Sequence, residues 1–194
     1  MSRLPIDVER VVQHSLEEAA PNAAIALMSD LNFYFQTMKA VVQWAKRANK
    51  RLIYVTSTIP SSVIRQQLDA EGVAIDHIYF VDCISFIVGS TGEEKERVIY
   101  IESPTMLENI LLKTESWLKQ LGTKNTAFFL DAMNTLAMHN DEKALSEFSY
   151  YLVNSLRVRQ VMTIVLSIHE QTPEDLEVIL KLVCDSGIDV HEEG

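Results

Sequence analysis

Residues Thr126-Ala127-Phe128-Phe129-Leu130-Asp131-Ala132-Met133-Asn134-Thr135-Leu136 decide how this chain folds. A short run dominated by apolar side chains ends on one carboxylate. Such a run reads as a strand buried on both faces, with Asp131 at its carboxyl end. Residues 23–28 form a similar run far earlier in the chain and lead into a helical pattern at residues 37–49. There Met38, Val41, Val42 and Ala45 recur at helical spacing. The connector between strand and helix is Ser29-Asp30-Leu31-Asn32-Phe33-Tyr34-Phe35-Gln36-Thr37-Met38, and it contains no glycine.

Working outward, strands and amphipathic helices alternate, which predicts βαβ units and a mostly parallel sheet. A first helix is expected over residues 6–18 and ends at Pro21-Asn22. Residues 51–56 are the second strand. A helix follows from Pro60-Ser61-Ser62, with Ser61 as its cap, and stops at Gly72. A third strand is expected over residues 77–81. Residues 84–88 and 97–101 read as a β-hairpin about Gly89-Ser90-Thr91-Gly92 and the charged run 93–97. A helix starts at Ser103-Pro104-Thr105 and ends at Leu121-Gly122. Residues 141–159 form a long helix, and 161–168 a strand buried on both faces. Thr172-Pro173-Glu174-Asp175 opens a last helix, with Thr172 as cap, before a short strand at 188–190. With 194 residues and no internal repeat, one α/β domain is expected over residues 1–194, its core spanning about 23–190.

Composition narrows the function classes. The formal charge of −10 argues against nucleic-acid binding, which depends on Lys and Arg at phosphates. The densest basic stretch, residues 46–51, falls at a helix end, where cations complement the helix dipole. No apolar run nears the roughly 18 residues that span a membrane. Residues 1–18 lack a signal-peptide core, so a cytoplasmic location is expected. Cys83 and Cys184 have no metal-ligand spacing and read as small buried hydrophobes.

Four stretches, in order and spacing, resemble RecA-like proteins, and within them the archaeal KaiC-like branch. Residues 51–56 resemble the strand after the phosphate-loop helix. Residues 72–85 resemble a strand ending in Asp-x-x-Ser. Residues 128–136 are similar to the Walker B strand, and residues 163–170 to the strand whose end faces the nucleotide in active members. The resemblance implies a three-layer α/β/α fold of the P-loop NTPase type.

At the places of chemistry the sequence departs from that family. An active phosphate loop reads G-x-x-x-x-G-K-[ST], with glycines that let backbone N–H groups close on phosphate. Leu31, Phe33, Tyr34 and Phe35 stand there instead, and bulky residues disfavour the positive φ that glycine permits. Lys39 lies too deep in the helix to replace the loop lysine. After the second strand, Thr56-Ser57-Thr58-Ile59-Pro60 holds no carboxylate to polarise a water. Phosphoryl transfer needs positioned phosphates and metal. The expectation is a pseudo-ATPase, not an enzyme, with no cofactor.

Its vacant cleft would be lined by Ser29, Asp30, Asn32, Thr56, Ser57, Thr58, Asp131, Asn134 and His169. Phe33, Tyr34 and Phe35 would plug that cleft, pack into the core at the start of the helix or, with Met133 and Met138, dock a partner, since aromatics are enriched in interface cores. Asp131 with His169 is a candidate acid–base pair for a residual hydrolase. A small-ligand or nucleotide sensor without hydrolysis is the other alternative. His14, His77, His139 and His191 show no metal pattern, and no G-x-S-x-G activates a serine. The resemblance implies a regulatory or signalling module that forms a homodimer or pairs with an active paralogue or another protein. No nucleic-acid, membrane or metal partner is expected.

Overall fold

A computed structural model describes residues 6–90 and 96–192. Seven strands form one sheet: β1 (Ala24–Ser29), β2 (Arg51–Thr56), β3 (Ile78–Asp82), β4 (Val98–Tyr100), β5 (Thr126–Asp131), β6 (Met162–Ile168) and β7 (Ser186–Val190). Their order is β4-β3-β2-β5-β6-β1-β7, and every pair is parallel. Helices α1 (Val8–Glu18), α2 (Tyr34–Arg47) and α3 (Ser61–Ala70) pack on one face. Helices α4 (Leu107–Leu121), α5 (Met133–Ala137), α6 (Glu142–Val158) and α7 (Glu174–Val183) pack on the other.

Period-two alternation explains both faces. Along β5, Ala127 and Phe129 enter the α1–α3 core, whereas Phe128 and Leu130 enter the α4–α7 core. On β2, Leu52 and Tyr54 face the first core, and Ile53 and Val55 the second. The central strands therefore carry apolar residues on both faces, as covered parallel sheets require. No described helix is long and apolar enough to cross a membrane.

The expected hairpin does not form. Residues 84–89 make bends and turns, and β4 lies parallel to β3. Asp82 causes the difference. Its buried carboxylate accepts the backbone N–H of Ile84 (3.0 Å) and Ser85 (2.9 Å) and the Ser85 hydroxyl (2.7 Å). That local side-chain bonding turns the chain away from a ladder. Residues 91–95, part of the expected turn, lie outside the described residues.

Several helix starts also move. Asp82 takes the Ser61 N–H at 2.8 Å, and Ser61 is the first residue of α3 rather than its cap. Helix α1 begins at Val8, where the Asp7 carboxylate accepts the Arg10 N–H at 3.1 Å. Helix α4 begins at Leu107, later than its Ser-Pro-Thr signal. Thr172 does not cap α7; its hydroxyl donates back to the Ile168 carbonyl at 2.6 Å.

Helix α6 has a side-chain cap, with Asp141 accepting the Ala144 N–H at 2.9 Å. Asp141→Ala is expected to cost about 1 kcal/mol, lowering the thermal midpoint by roughly 2–4 °C. Circular dichroism melting checks this, and an unchanged midpoint would rule the cap out as a contributor.

Candidate functional site

The chain leaves β1 through α2 and reaches β2, while β5 and β6 later fill the space between those strands. The carboxyl ends of β1, β2, β5 and β6 therefore meet where the strand order reverses, the usual ligand crevice of an open α/β sheet. Register places Asp131 beside Thr56, and Ile168 beside Ser29.

Asp131 is fully buried. The Tyr34 hydroxyl donates to its two oxygens at 2.9 and 2.7 Å. The Tyr54 hydroxyl donates to Oδ2 at 2.5 Å, and Thr58 Oγ1 to Oδ1 at 3.2 Å. Burial pushes the Asp131 carboxyl up to about 6, while the three hydroxyls pull it back down. Both phenols are raised, first by burial and then by the nearby carboxylate. Tyr34 is an aromatic of the glycine-free connector, and its ring closes over the end of β5. Phe33 and Phe35 pack, partly buried, against the α1–α3 core.

The connector is not a loop. Leu31–Phe33 is a single 3-10 turn, and α2 begins at Tyr34 rather than at Thr37. Neighbouring strand ends pin this entry. The Glu170 carboxylate accepts the Leu31 N–H at 3.1 and 3.3 Å. Asp30 donates its N–H to the Val190 carbonyl at 2.9 Å, and its carboxylate accepts the Glu192 N–H at 2.9 Å. Ser29 and Thr37 share a buried hydroxyl–hydroxyl bond of 3.0 Å. A carboxylate of the chain itself thus lies at the N-terminal turn leading into α2, a position suited to anions.

The other candidate residues divide in two. Ser57 is buried against the β5–α5 turn: its Oγ donates to the Ala132 carbonyl at 3.0 Å and lies 2.7 Å from Thr135 Oγ1. The Asp131–Ala132 peptide is cis. Thr56 donates to the Ile59 carbonyl at 2.6 Å. Asn134 accepts the Ile168 N–H at 3.2 Å and donates to Gln171 at 3.0 Å. Asn32 is exposed.

His169 does not pair with Asp131. Its Nε2 lies 2.7 Å from Asp189 Oδ1, an oxygen that His191 Nδ1 also approaches at 3.1 Å. Nor do Met133 and Met138 form one patch, because Met133 is fully buried and Met138 is 76% exposed. Lys39 is tied to Glu9 (2.6 Å) and Glu71 (3.3 Å). Among the described residues no group of three His, Cys, Asp or Glu is placed to hold a metal ion.

One contributor escaped the sequence reading. Tyr54 reads as one more apolar strand residue, although a phenol inside a buried strand requires a partner for its hydroxyl. Glu170, two residues past the end of β6, is brought to Leu31 by the fold.

No family model and no curated protein matches this chain. Among solved structures it is similar to a KaiC-like protein of the hyperthermophilic archaeon Pyrococcus horikoshii. The two are 14% identical with a TM-score of 0.64, over 89% of this chain and 74% of that one. The parallel seven-stranded sheet with helices on both faces is the RecA-like α/β/α fold.

Proposed function

We propose that this protein is a non-catalytic RecA-like domain whose nucleotide cleft is sealed by its own side chains and which acts as a protein-interaction module. The hydrogen bonds from Tyr34 to Asp131 carry this reading. A carboxylate that would serve a metal-bound phosphate is instead saturated by three hydroxyls, and one of them comes from the segment where the phosphate loop would lie. Glu170 at the Leu31 N–H adds a second internal occupant at the anion position. The glycine-free connector and the missing acid after β2 agree with it. A residual hydrolase is disfavoured by the placement of His169 on Asp189. The KaiC-like neighbour shares the fold, and a second copy or an active paralogue is the partner class in view.

A thermal-shift titration with ATP and magnesium tests the reading. A ligand at a hundred times its dissociation constant adds about 2.7 kcal/mol, which raises the midpoint of a chain this size by roughly 5–10 °C. No shift is expected. A shift of that size would replace the sealed cleft with a nucleotide sensor.

A further inference from the structure

At the amino ends of β2, β3 and β5, on the sheet edge opposite the sealed cleft, the chain forms a recess of about 330 Å³. That is the small end of ligand sites, which run from roughly 300 to 1,000 Å³. Arg51 opens β2, and His77 directly precedes β3. The last turn of α2 brings Lys46, with Lys50 just beyond the helix. Asp76 also lines the recess.

The recess is positive on a chain of −10. Lys46 is matched by Asp76, whose carboxylate oxygens lie 2.6 and 2.7 Å from its Nζ. Lys50 lies 6.0 Å from the centre of the Trp44 ring, and Arg51 donates to the Lys124 carbonyl at 2.8 Å. Among the described residues neither forms an ion pair. The C-terminal end of α2 supplies only about half a negative charge against these two cations. The surplus complements a phosphate monoester, which carries roughly −1.5 to −2 at neutral pH. Arg51 has donors to spare, since a guanidinium carries five N–H groups.

His77 marks the site independently. Its side chain is 9% exposed. Nε2 lies 3.0 Å from the Val42 carbonyl, which can only accept, so Nε2 carries a proton. Burial pushes the imidazole below its usual value and keeps it neutral. Nδ1 is then a bare acceptor without a hydrogen-bond partner, and it faces another acceptor, Asp76 Oδ1, at 3.7 Å. Buried acceptors of this kind call for a donor. The Asp76 side chain is 65% exposed and has room to turn aside for one.

We infer that this recess binds a small hydroxyl-bearing phosphate monoester, of the sugar-phosphate class. Lys50 and Arg51 take the phosphate, and His77 and Asp76 accept the hydroxyl protons. The overall charge disfavours a polyanion lying along the surface, whereas a small ester fits within the recess. The site is separate from the cleft around Asp131.

Isothermal titration calorimetry of the full chain with ribose 5-phosphate tests it, with inorganic phosphate and a single-stranded oligonucleotide as comparators. One site with a dissociation constant on the order of 100 µM is expected at low salt, about tenfold tighter than for inorganic phosphate. Lys50→Glu and Arg51→Gln should each weaken it by about tenfold or more. Lys143→Glu, on α6 and outside the recess, should leave it unchanged. Asp76→Asn frees Lys46, so inorganic phosphate should bind that variant about threefold more tightly than the parent. Three results overturn the inference: no binding at about 5 mM ribose 5-phosphate, binding unchanged in both Lys50→Glu and Arg51→Gln, or an inorganic phosphate or oligonucleotide that binds as tightly. The nucleotide thermal shift separates this site from the sealed cleft. No ribose 5-phosphate binding and no nucleotide shift removes the recess site and leaves the cleft sealed. Variant-sensitive ribose 5-phosphate binding, with a nucleotide shift that persists in both variants, does the reverse.

Discussion

Asp131→Ala is expected to be less stable than Asp131→Asn by about 3 kcal/mol at neutral pH. Both variants remove the charge, so their difference isolates the acceptor. Asparagine retains a carbonyl oxygen among Tyr34, Tyr54 and Thr58, and its amide can donate to a phenol that rotates to accept. Alanine leaves the Tyr54 hydroxyl, fully buried, and the Tyr34 hydroxyl beside it without that partner. A buried hydroxyl left unsatisfied costs about 1–3 kcal/mol, and the vacated carboxyl volume adds a smaller packing loss. Urea unfolding of the two variants measures the difference directly. Equal stabilities would mean that the phenols find water or other partners, and Asp131 would lose its role as the keystone of the sealed cleft.

The central strands were legible because each is dominated by apolar residues over a strand's length. Residues 51–56 read as a strand and form β2 over the same span. Where the reading failed, a side chain had bonded to the backbone locally or across the fold. Residues 84–88 have strand composition, yet Asp82 collects their N–H groups into a turn. The start of α2 was misplaced because Phe33 offers no side-chain cap. Nothing local marks Tyr34 as the first residue of a helix; it is positioned by Asp131, 97 residues away. The cleft residues were legible as a group, since strand ends in a parallel sheet converge. Their pairing was not. His169 was matched to the wrong carboxylate because sequence order does not reveal that β7 lies beside β1 and brings Asp189 within 2.7 Å.

The pH dependence of stability should carry the signature of Asp131. Burial raises its carboxyl from 3.8 to about 6 in the folded chain. Between those values the folded state keeps a proton that the unfolded state has released. The stabilisation is therefore complete below pH 3.8 and is lost as pH rises through about 6. At 1.36 kcal/mol per pH unit, the loss amounts to about 3 kcal/mol. Asp131→Asn cannot titrate, and the other groups cancel in the comparison. Urea unfolding of the parent and Asp131→Asn across this range should show the parent falling by that amount relative to the variant, then running parallel above the window. Tyr34→Phe removes a hydroxyl that lowers the Asp131 pKa, so the window should end at a higher pH in that variant. A flat difference curve would mean an Asp131 ionised at ordinary carboxylate pH and open to solvent or a cation, which is incompatible with a cleft closed by Tyr34. A falling curve means that the surviving carboxylate is held where its charge is disfavoured. Its three hydroxyl donors then serve to make that burial tolerable rather than to position a reaction.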